Sequence, residues 1–578
     1  MQLLKHFKDL TIRPKNAEEL KGLILQLAIQ GKLTANWRKE NPDVEPATEL
    51  IKRIEKKKIQ LIKEKKIKKE KPLPRINKDE VPFELPINWK WFNLGDLGNA
   101  QTGTTPPTKN PKNYGTFIPF LGPADISNSF MQYPIEGLSE EGLRKGRLIE
   151  SNSLMMVCIG GSMGKCNINR KDVSCNQQIN ILTPICSPVE YVKVVCQSPY
   201  FQTEVWERST GSATPMINKN KWLQIPISVP PLEEQKAIVE VVEALFKEVE
   251  QLEQLTLERI SLKEDFVTSA LNQLTTNNAK KEWGFLRDHF QTFFNESANI
   301  KKLRETVLQL AVQGKLTRDW RASHPEFVSG SNHASELLKR IQKEKAQLIK
   351  DKKIKKEKPL PPITKDEIPY ELPEGWVWCR MIELCQYITD GTHQTPTYTE
   401  KGRMFLSAKN VKPFKFMPEE HKFVSEEDFE GYRRNRKPEL NDILITRVGA
   451  GIGEATLIDQ DLEFAIYVSV GLLKMFPGLL EPNYIVMWLN SPEGRQYSSK
   501  NTYGKGVSQG NLNLSLIRGF VVSLPPLEEQ KAIVQKVNAS MGLCDALEQE
   551  VQQGQEQREQ LMQSCLREVF EGESSVEI

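Results

Sequence analysis

The sequence predicts an α+β protein built as a tandem duplication, with two globular domains of mixed strand and helix carried on long heptad helices. Three observations predict it. The ten residues PPLEEQKAIV at Pro230–Val239 return unchanged at Pro525–Val534. LQLAIQGKLTANWR (Leu25–Arg38) returns as LQLAVQGKLTRDWR (Leu308–Arg321), and the stretch ending FELPINWKW at Trp91 returns as the one ending YELPEGWVW at Trp378. Each copy also keeps one order: short helix, basic helix, Pro-rich break, mixed region, PPLEEQ, heptad helix. Copies spaced by about 290 residues are too far apart for a solenoid repeat, so a whole set of modules is duplicated.

The elements follow in order. Asn16 with Glu19 resembles a capping box, and Leu20, Leu23, Ile24 and Leu27 form the stripe of a short amphipathic helix. The basic run Lys52–Lys71 keeps Ile51, Ile54, Leu61 and Ile62 as a narrow apolar seam and stops at Pro72 and Pro74. The mixed regions carry β-favouring runs such as Leu154–Ile159, Asp442–Val448 and Phe464–Phe476 between loops rich in Gly, Pro and Asn. Pro231 and Pro526 precede helices with an acidic first turn, which suits the positive end of the helix dipole. Beyond them Ile238, Val242, Leu245, Val249 and Leu252 recur at heptad spacing, and Ile533, Val537, Cys544, Leu547 and Val551 keep much of that seam. A helix from about Glu233 to Leu274 would run roughly 60 Å at 1.5 Å per residue. The resulting segments are 1–88 (helical, with the basic helix), 89–229 (first mixed domain), 230–372 (heptad helix, then a repeat of the N-terminal helices), 373–524 (second mixed domain) and 525–578 (final heptad helix).

Composition narrows the function classes. With 39% hydrophobic and 27% charged residues among 578, the chain reads as a soluble protein of several domains. No window approaches 18 consecutive apolar residues, and MQLLKHFKDL lacks the apolar core and cleavage site of a signal peptide, so a cytoplasmic location is expected. The nine cysteines are scattered without a C-x-x-C pair, which fits reduced, packed thiols and no metal site. The net charge of +4 hides segregation: Lys52–Lys71 carries +8 and Lys339–Lys358 carries +7, leaving −11 elsewhere. Such runs suit either phosphate neutralisation or a solvated helix face.

Enzyme motifs are missing. Gly160–Cys166 (GGSMGKC) imitates a phosphate loop, but Ile159 stands where its first glycine belongs and Cys166 replaces the Ser/Thr. In Gly449–Gly453 (GAGIG) the third dinucleotide glycine is Glu454. Both read as tight turns, no H-E-x-x-H or G-x-S-x-G occurs, and the six histidines form no cluster in sequence. No catalytic or metal-binding residue is assigned.

The two mixed domains share a frame but not their loops. Thr102–Gly115 faces Asp390–Gly402, and Ser209–Lys221 faces Thr502–Asn513, with little resemblance in either pair. A kept frame with divergent polar loops suits two readers of different DNA sequences, because Thr, Ser, Asn, Gln, Lys and Arg contact phosphates and base edges. The DNA-binding candidates in the first domain are Thr104, Thr105, Lys109, Lys112, Lys165, Arg170, Gln177, Gln178, Arg208, Lys219 and Lys221. Those in the second are His393, Gln394, Lys409, Arg433, Arg434, Arg436, Arg447, Lys505 and Gln509.

Two variable α+β domains, each ending in PPLEEQKAIV and a heptad helix, resemble the specificity subunit of type I restriction-modification systems. DGTHQTP (Asp390–Pro396), FLSAKNV (Phe405–Val411) and KCNINRKDVSCNQQINIL (Lys165–Leu182) are similar to the target recognition domains of that family, and LQLAxQGKL to the helical region of its longer members. The resemblance implies a pseudo-twofold object in which long antiparallel coiled-coil helices separate two target recognition domains. Each domain is then expected to read one half of a bipartite, asymmetric site in the major groove of double-stranded DNA. The helices would set half-site separation, roughly one turn of about 34 Å. The chain itself would be non-catalytic and bind no cofactor. Two modification subunits, which methylate adenine with S-adenosylmethionine, and two restriction subunits, which use ATP and magnesium, would supply the chemistry. The other reading is a coiled-coil scaffold that organises partners without reading DNA, and it leaves two elaborate diverged domains without a purpose.

Overall fold

The computed structural model describes residues 14–77, 81–276, 280–434, 436–500, 502–503 and 510–571. The chain divides into two compact units, 1–260 with 557–578 and 261–556, each holding one copy of the duplicated set except for the far end of its long helix, which is counted with the other unit. Among the described residues no helix is long and apolar enough to cross a membrane.

Each unit contains an amphipathic helix that carries the repeated LQLA sequence, Pro14–Ile29 or Ser297–Val312. The first already includes Asn16, so the capping-box start expected there does not hold. The basic helices are shorter than expected, Ala47–Lys63 and Ala334–Lys350. Both stop well before the prolines because Lys65 and Lys352 turn into the left-handed region (φ 58° and 54°). Lys66 N–H and Lys353 N–H then reach back to Leu61 O and Leu348 O, both at 2.9 Å, satisfying carbonyls that would otherwise be orphaned.

The variable domains are insertions whose ends meet. Lys90–Asn93 pairs antiparallel with Pro226–Val229, and Val377–Arg380 pairs in the same way with Val521–Leu524. Inside each lies a four-stranded sheet of the same order. In the first, Gly98–Thr102 and Leu154–Val157 flank Ile179–Pro184, with Cys166–Ile168 at the far edge. In the second, Cys385–Asp390 and Ile443–Thr446 flank Val470–Met475, with Ala455–Leu457 outermost. The run Phe464–Phe476 is not one strand as expected. Phe464–Ile466 pairs parallel with Arg403–Leu406 in a second sheet, and the chain turns before Val470–Met475 enters the core sheet. GGSMGKC and GAGIG are turns between strands, with Gly160, Gly164, Gly449 and Gly453 at positive φ. Seven of the eight cysteines with described side chains are buried, and burial pushes the Cys158, Cys166, Cys175 and Cys385 thiols up to about 12.

The long helices run Leu232–Thr276 and Leu527–Glu571, 45 residues each, or about 67 Å at 1.5 Å per residue. The first seam is largely covered by its own unit. Ile238, Val242 and Val249 are buried in the core that includes Leu20, Leu23 and Ile24, with Leu245 and Leu252 half-buried against it. Lys21 locks this contact, pairing with Glu250 (3.1 Å) and lying over Phe246. Ile533 and Val537 join the second unit's core in the same manner. Contact between the two long helices therefore rests on other residues. Val267, Ala270 and Leu271 share a core with Cys544 of the last helix, against which Leu274, Leu547 and Val551 pack, and Ile300 and Leu303 close that core.

The identical decapeptides are explained by one carboxylate in each. Glu234 is fully buried and accepts from Thr34 Oγ1 (2.7 Å), Arg38 Nη1 (2.6 Å) and Trp89 Nε1 (2.7 Å). Glu529 accepts from Thr317 Oγ1 (2.7 Å), Arg321 Nη1 (2.5 Å) and Trp376 Nε1 (2.8 Å). Three segments far apart in sequence thus meet on one charge that would be costly to bury unpaired. Gly31 and Gly314 complete the joint at φ 70° and 68°; a Cβ would stand 2.7 Å from Pro86 and 2.6 Å from Pro373. Gln235 and Gln530 fold back onto Pro230 O (3.0 Å) and Pro525 O (2.9 Å).

Candidate nucleic-acid interface

The same end of each core sheet gathers loops from four parts of its domain. In the first domain Thr102 lies opposite Asn180 and Val157 opposite Ile179, so the segments around 103–107, 158–165 and 175–178 all issue from that end. Gly160 N–H to Pro215 O (2.9 Å) and Ile217 N–H to Cys158 O (3.0 Å) tie in the loop 209–216. In the second domain Asp390 lies opposite Gly471 and Thr446 opposite Val470, placing 391–396, 447–454 and 467–469 together. Leu512 N–H to Arg447 O (2.9 Å) ties in the fourth segment. Gly103 and Gly391 occupy matching places, their N–H groups donating to Ile179 O (3.0 Å) and Val470 O (3.2 Å). A Cβ there would fall 2.0 Å from Asn176 O or 2.1 Å from Ile466 O, so only glycine lets the backbones cross so closely.

Of the first-domain candidates, Thr104, Thr105, Lys165, Gln177 and Gln178 share this end, and Lys165 and Gln177 are exposed. Thr105 Oγ1 donates to Gln177 Oε1 (2.5 Å), and Asn176 Nδ2 donates to Gln178 Oε1 (3.0 Å). Lys109 and Lys112 are exposed on the segment leading into a second sheet of that domain, where Tyr114–Gly115 pairs with Gly137–Leu138. Arg170 follows Ile168 at the opposite end of the core sheet and pairs with Glu190 (2.9 Å). Arg208 pairs with Glu204 (2.7 Å), Lys221 donates to Arg208 O (3.1 Å), and Lys219 joins Glu70 (2.7 Å) to the sheet edge at Ala100 O (3.5 Å). These last cations hold the domain together and straps its linker down.

In the second domain His393 and Gln394 are exposed at the loop end, and Arg436 donates to Gly391 O (2.6 Å), anchoring that loop. Arg447 is buried: it pairs with Asp390 and donates through Nε to Leu512 O (2.9 Å). Burial lowers its pKa against the pull of Asp390, yet a guanidinium stays charged. Lys409 is exposed on a turn whose Ala408 N–H donates to Ser469 Oγ (3.2 Å). Arg433 is buried against Glu463 (3.2 Å) and the Phe429 ring, whereas its neighbour Arg434 is exposed. Lys505 and Gln509 lie outside the described residues. The basic helices are partly structural, for Lys58 Nζ donates to Gly95 O (2.7 Å) and Lys345 Nζ to Ile382 O (2.7 Å). Burial lowers both amines.

Sequence reasoning missed two kinds of residue. Asp390 organises the second loop end, but its partner stands 57 residues away, with no local spacing to betray the pair. Glu234 and Glu529 carry a signal, the acidic first turn, but the helix dipole accounts for it equally well, so sequence alone does not single out a buried joint.

Two open-ended sheets of one design, each rimmed by its own polar loops, define a protein with two recognition modules on a common helical frame. Comparison with known proteins gives the particular family. The model of the type I restriction modification DNA specificity domain matches residues 86–261 and 373–554. The type I restriction enzyme EcoEI specificity subunit of Escherichia coli is 30% identical over 571 residues, covering 93% of this chain and 91% of that one. The EcoAI specificity subunit of the same species is 30% identical over 561 residues, covering 92% and 90%. The HsdS subunit from Thermoanaerobacter tengcongensis aligns over 85% of this chain and 99% of its own, with 18% identity and a TM-score of 0.40. The chain belongs to the type I restriction-modification specificity family. It is a DNA sequence-recognition subunit, and the reading as a scaffold without sequence readout is not favoured.

Proposed function

We propose that each sheet end reads one half of a bipartite, asymmetric DNA site in the major groove, and that the long helices fix the distance between the halves. The observation that carries this reading is the pair of matched sheet ends: one frame, one crossing glycine in each, and different polar side chains presented beyond it. Exposed Thr, Gln, His and Lys groups there have the donors and acceptors needed for base edges and phosphates. The chain acts without catalysis of its own. Two modification subunits dock on the helical frame and methylate adenine from S-adenosylmethionine, flipping the base from the stack while this subunit holds the register. Two restriction subunits bring ATP and magnesium chemistry to the same assembly.

A long-read methylation map of the source genome, with the gene intact and deleted, tests this reading. Loss of one split, asymmetric motif on deletion is the expected result. A motif set that does not change even when the chain is reassembled with its modification subunits would end the proposal.

A further inference from the structure

Resting on that reading, the geometry points to His393 as a base-reading residue of the second domain, specific for an exocyclic amine of adenine or cytosine in the major groove. The ring is not free to choose its hydrogen bonds. Its Nε2 lies 3.1 Å from Asp390 Oδ2, while 70% of the His393 side chain faces solvent. A carboxylate only accepts, so Nε2 carries the hydrogen. In a neutral imidazole that leaves Nδ1 as a bare acceptor. The groups in the major groove that donate are the N6 amine of adenine and the N4 amine of cytosine.

The support beneath His393 is built to stay still. Asp390 is buried at the end of Cys385–Asp390, and the same oxygen that holds His393 also pairs with Arg447. Arg447 is itself fixed by Leu512 O (2.9 Å) and Val468 O (3.1 Å). The loop carrying the histidine is pinned at Gly391, whose N–H donates to Val470 O (3.2 Å) and whose O accepts from Arg436 (2.6 Å). Asp390, Arg447 and Arg436 are therefore positioning residues, and His393 is the group they present. The first domain has no such device. By the matched crossing glycines, Thr102, Thr105 and Cys158 stand where Asp390, His393 and Arg447 stand in the second, and Thr105 bonds to Gln177 instead.

The test uses the full chain assembled with its modification subunits. Selection from a randomised duplex pool gives the two-part consensus of the wild-type complex. His393→Ala is expected to loosen one position in one part and leave the other part intact. At that position the amine-bearing base is then replaced by its analogue lacking the amine, purine for adenine or 2-pyrimidinone for cytosine. The wild-type complex is expected to lose roughly 10-fold in affinity, as for one lost hydrogen bond to a base edge. His393→Ala should lose nothing further on the analogue. Arg436→Ala, which leaves Gly391 O without this donor, is expected to loosen the same position as His393→Ala and no other. An unchanged consensus for His393→Ala, or equal losses on the analogue for wild type and variant, overturns the assignment and leaves the two-part reading standing. A wild-type complex without any two-part consensus removes both.

Discussion

The two units answer the same structural problem with the same residues at one place and with different residues at another. At the joint, Thr34, Arg38, Trp89 and Glu234 are reproduced by Thr317, Arg321, Trp376 and Glu529. Beside it the copies part company. Phe83, Trp91 and Tyr200 make an aromatic cluster in the first unit. In the second, Tyr370 packs on Trp378 and donates through its hydroxyl to the buried Glu493 (2.9 Å). The difference teaches that the joint tolerates no substitute because a buried charge needs every donor, whereas an apolar cluster can be rebuilt with another chemistry.

The largest expected effect tests the sameness. Glu234→Ala and Glu529→Ala each leave an arginine, a threonine and an indole N–H without their acceptor, and each is expected to cost about 4 kcal/mol in its own unit. Hydrogen exchange read separately on the strands 90–93 with 226–229 and 377–380 with 521–524 measures the two losses. Losses differing by more than about 2 kcal/mol would show that the joints are not equivalent.

Next in size is an effect confined to one copy. Burial pushes the Glu493 carboxyl up to about 7, so the folded chain keeps this proton over a range where the unfolded chain has released it. The stabilisation is complete below about pH 4.5 and is lost as pH rises through 7, amounting to about 3 kcal/mol by linkage. Subtracting the Glu493→Gln pH–stability curve from that of the wild type should give a decline from pH 5 to 8. A flat difference would deny the asymmetry.

Smaller still is strain at the turns. Gly31→Ala and Gly314→Ala should each cost about 2–3 kcal/mol, since both residues lie at positive φ and an added Cβ would press on Pro86 or Pro373 at under 3 Å. Equal shifts in chemical denaturation are expected.

The smallest effects separate adjacent arginines. Arg434→Ala, at an exposed site, should leave stability unchanged and reduce the salt slope of DNA binding by about 1 if it meets a phosphate. Arg433→Ala should lower stability by about 1–2 kcal/mol through its lost Glu463 and Phe429 contacts. The reverse pattern would exchange their roles.

Much of this was legible in the letters. The duplication, the order of segments and both long helices came from repeated strings and heptad spacing, which are local signals. The division of Phe464–Phe476 between two sheets was not legible, because the run is apolar throughout and only tertiary pairing decides where it breaks. The basic run shows the same limit: its composition favours helix to the prolines, but a left-handed turn at Lys65 ends it sooner. Among the candidate contacts, residue type identified polar loops and could not separate exposed Lys165 or Arg434 from buried Arg433 or Arg447. Burial and pairing depend on partners tens of residues away.

The antiparallel closure of each variable domain has a consequence for how such a chain can change. Lys90–Val229 spans 140 residues and Val377–Leu524 spans 148, yet both begin and end on one pair of hydrogen-bonded strands. The polymer between those strands is a closed loop whose ends are already fixed. Lengthening it by a few residues adds only on the order of hundredths of a kcal/mol of closure entropy. Each socket in the frame therefore accepts inserts of unequal length and unrelated loops without registering the difference along the helices.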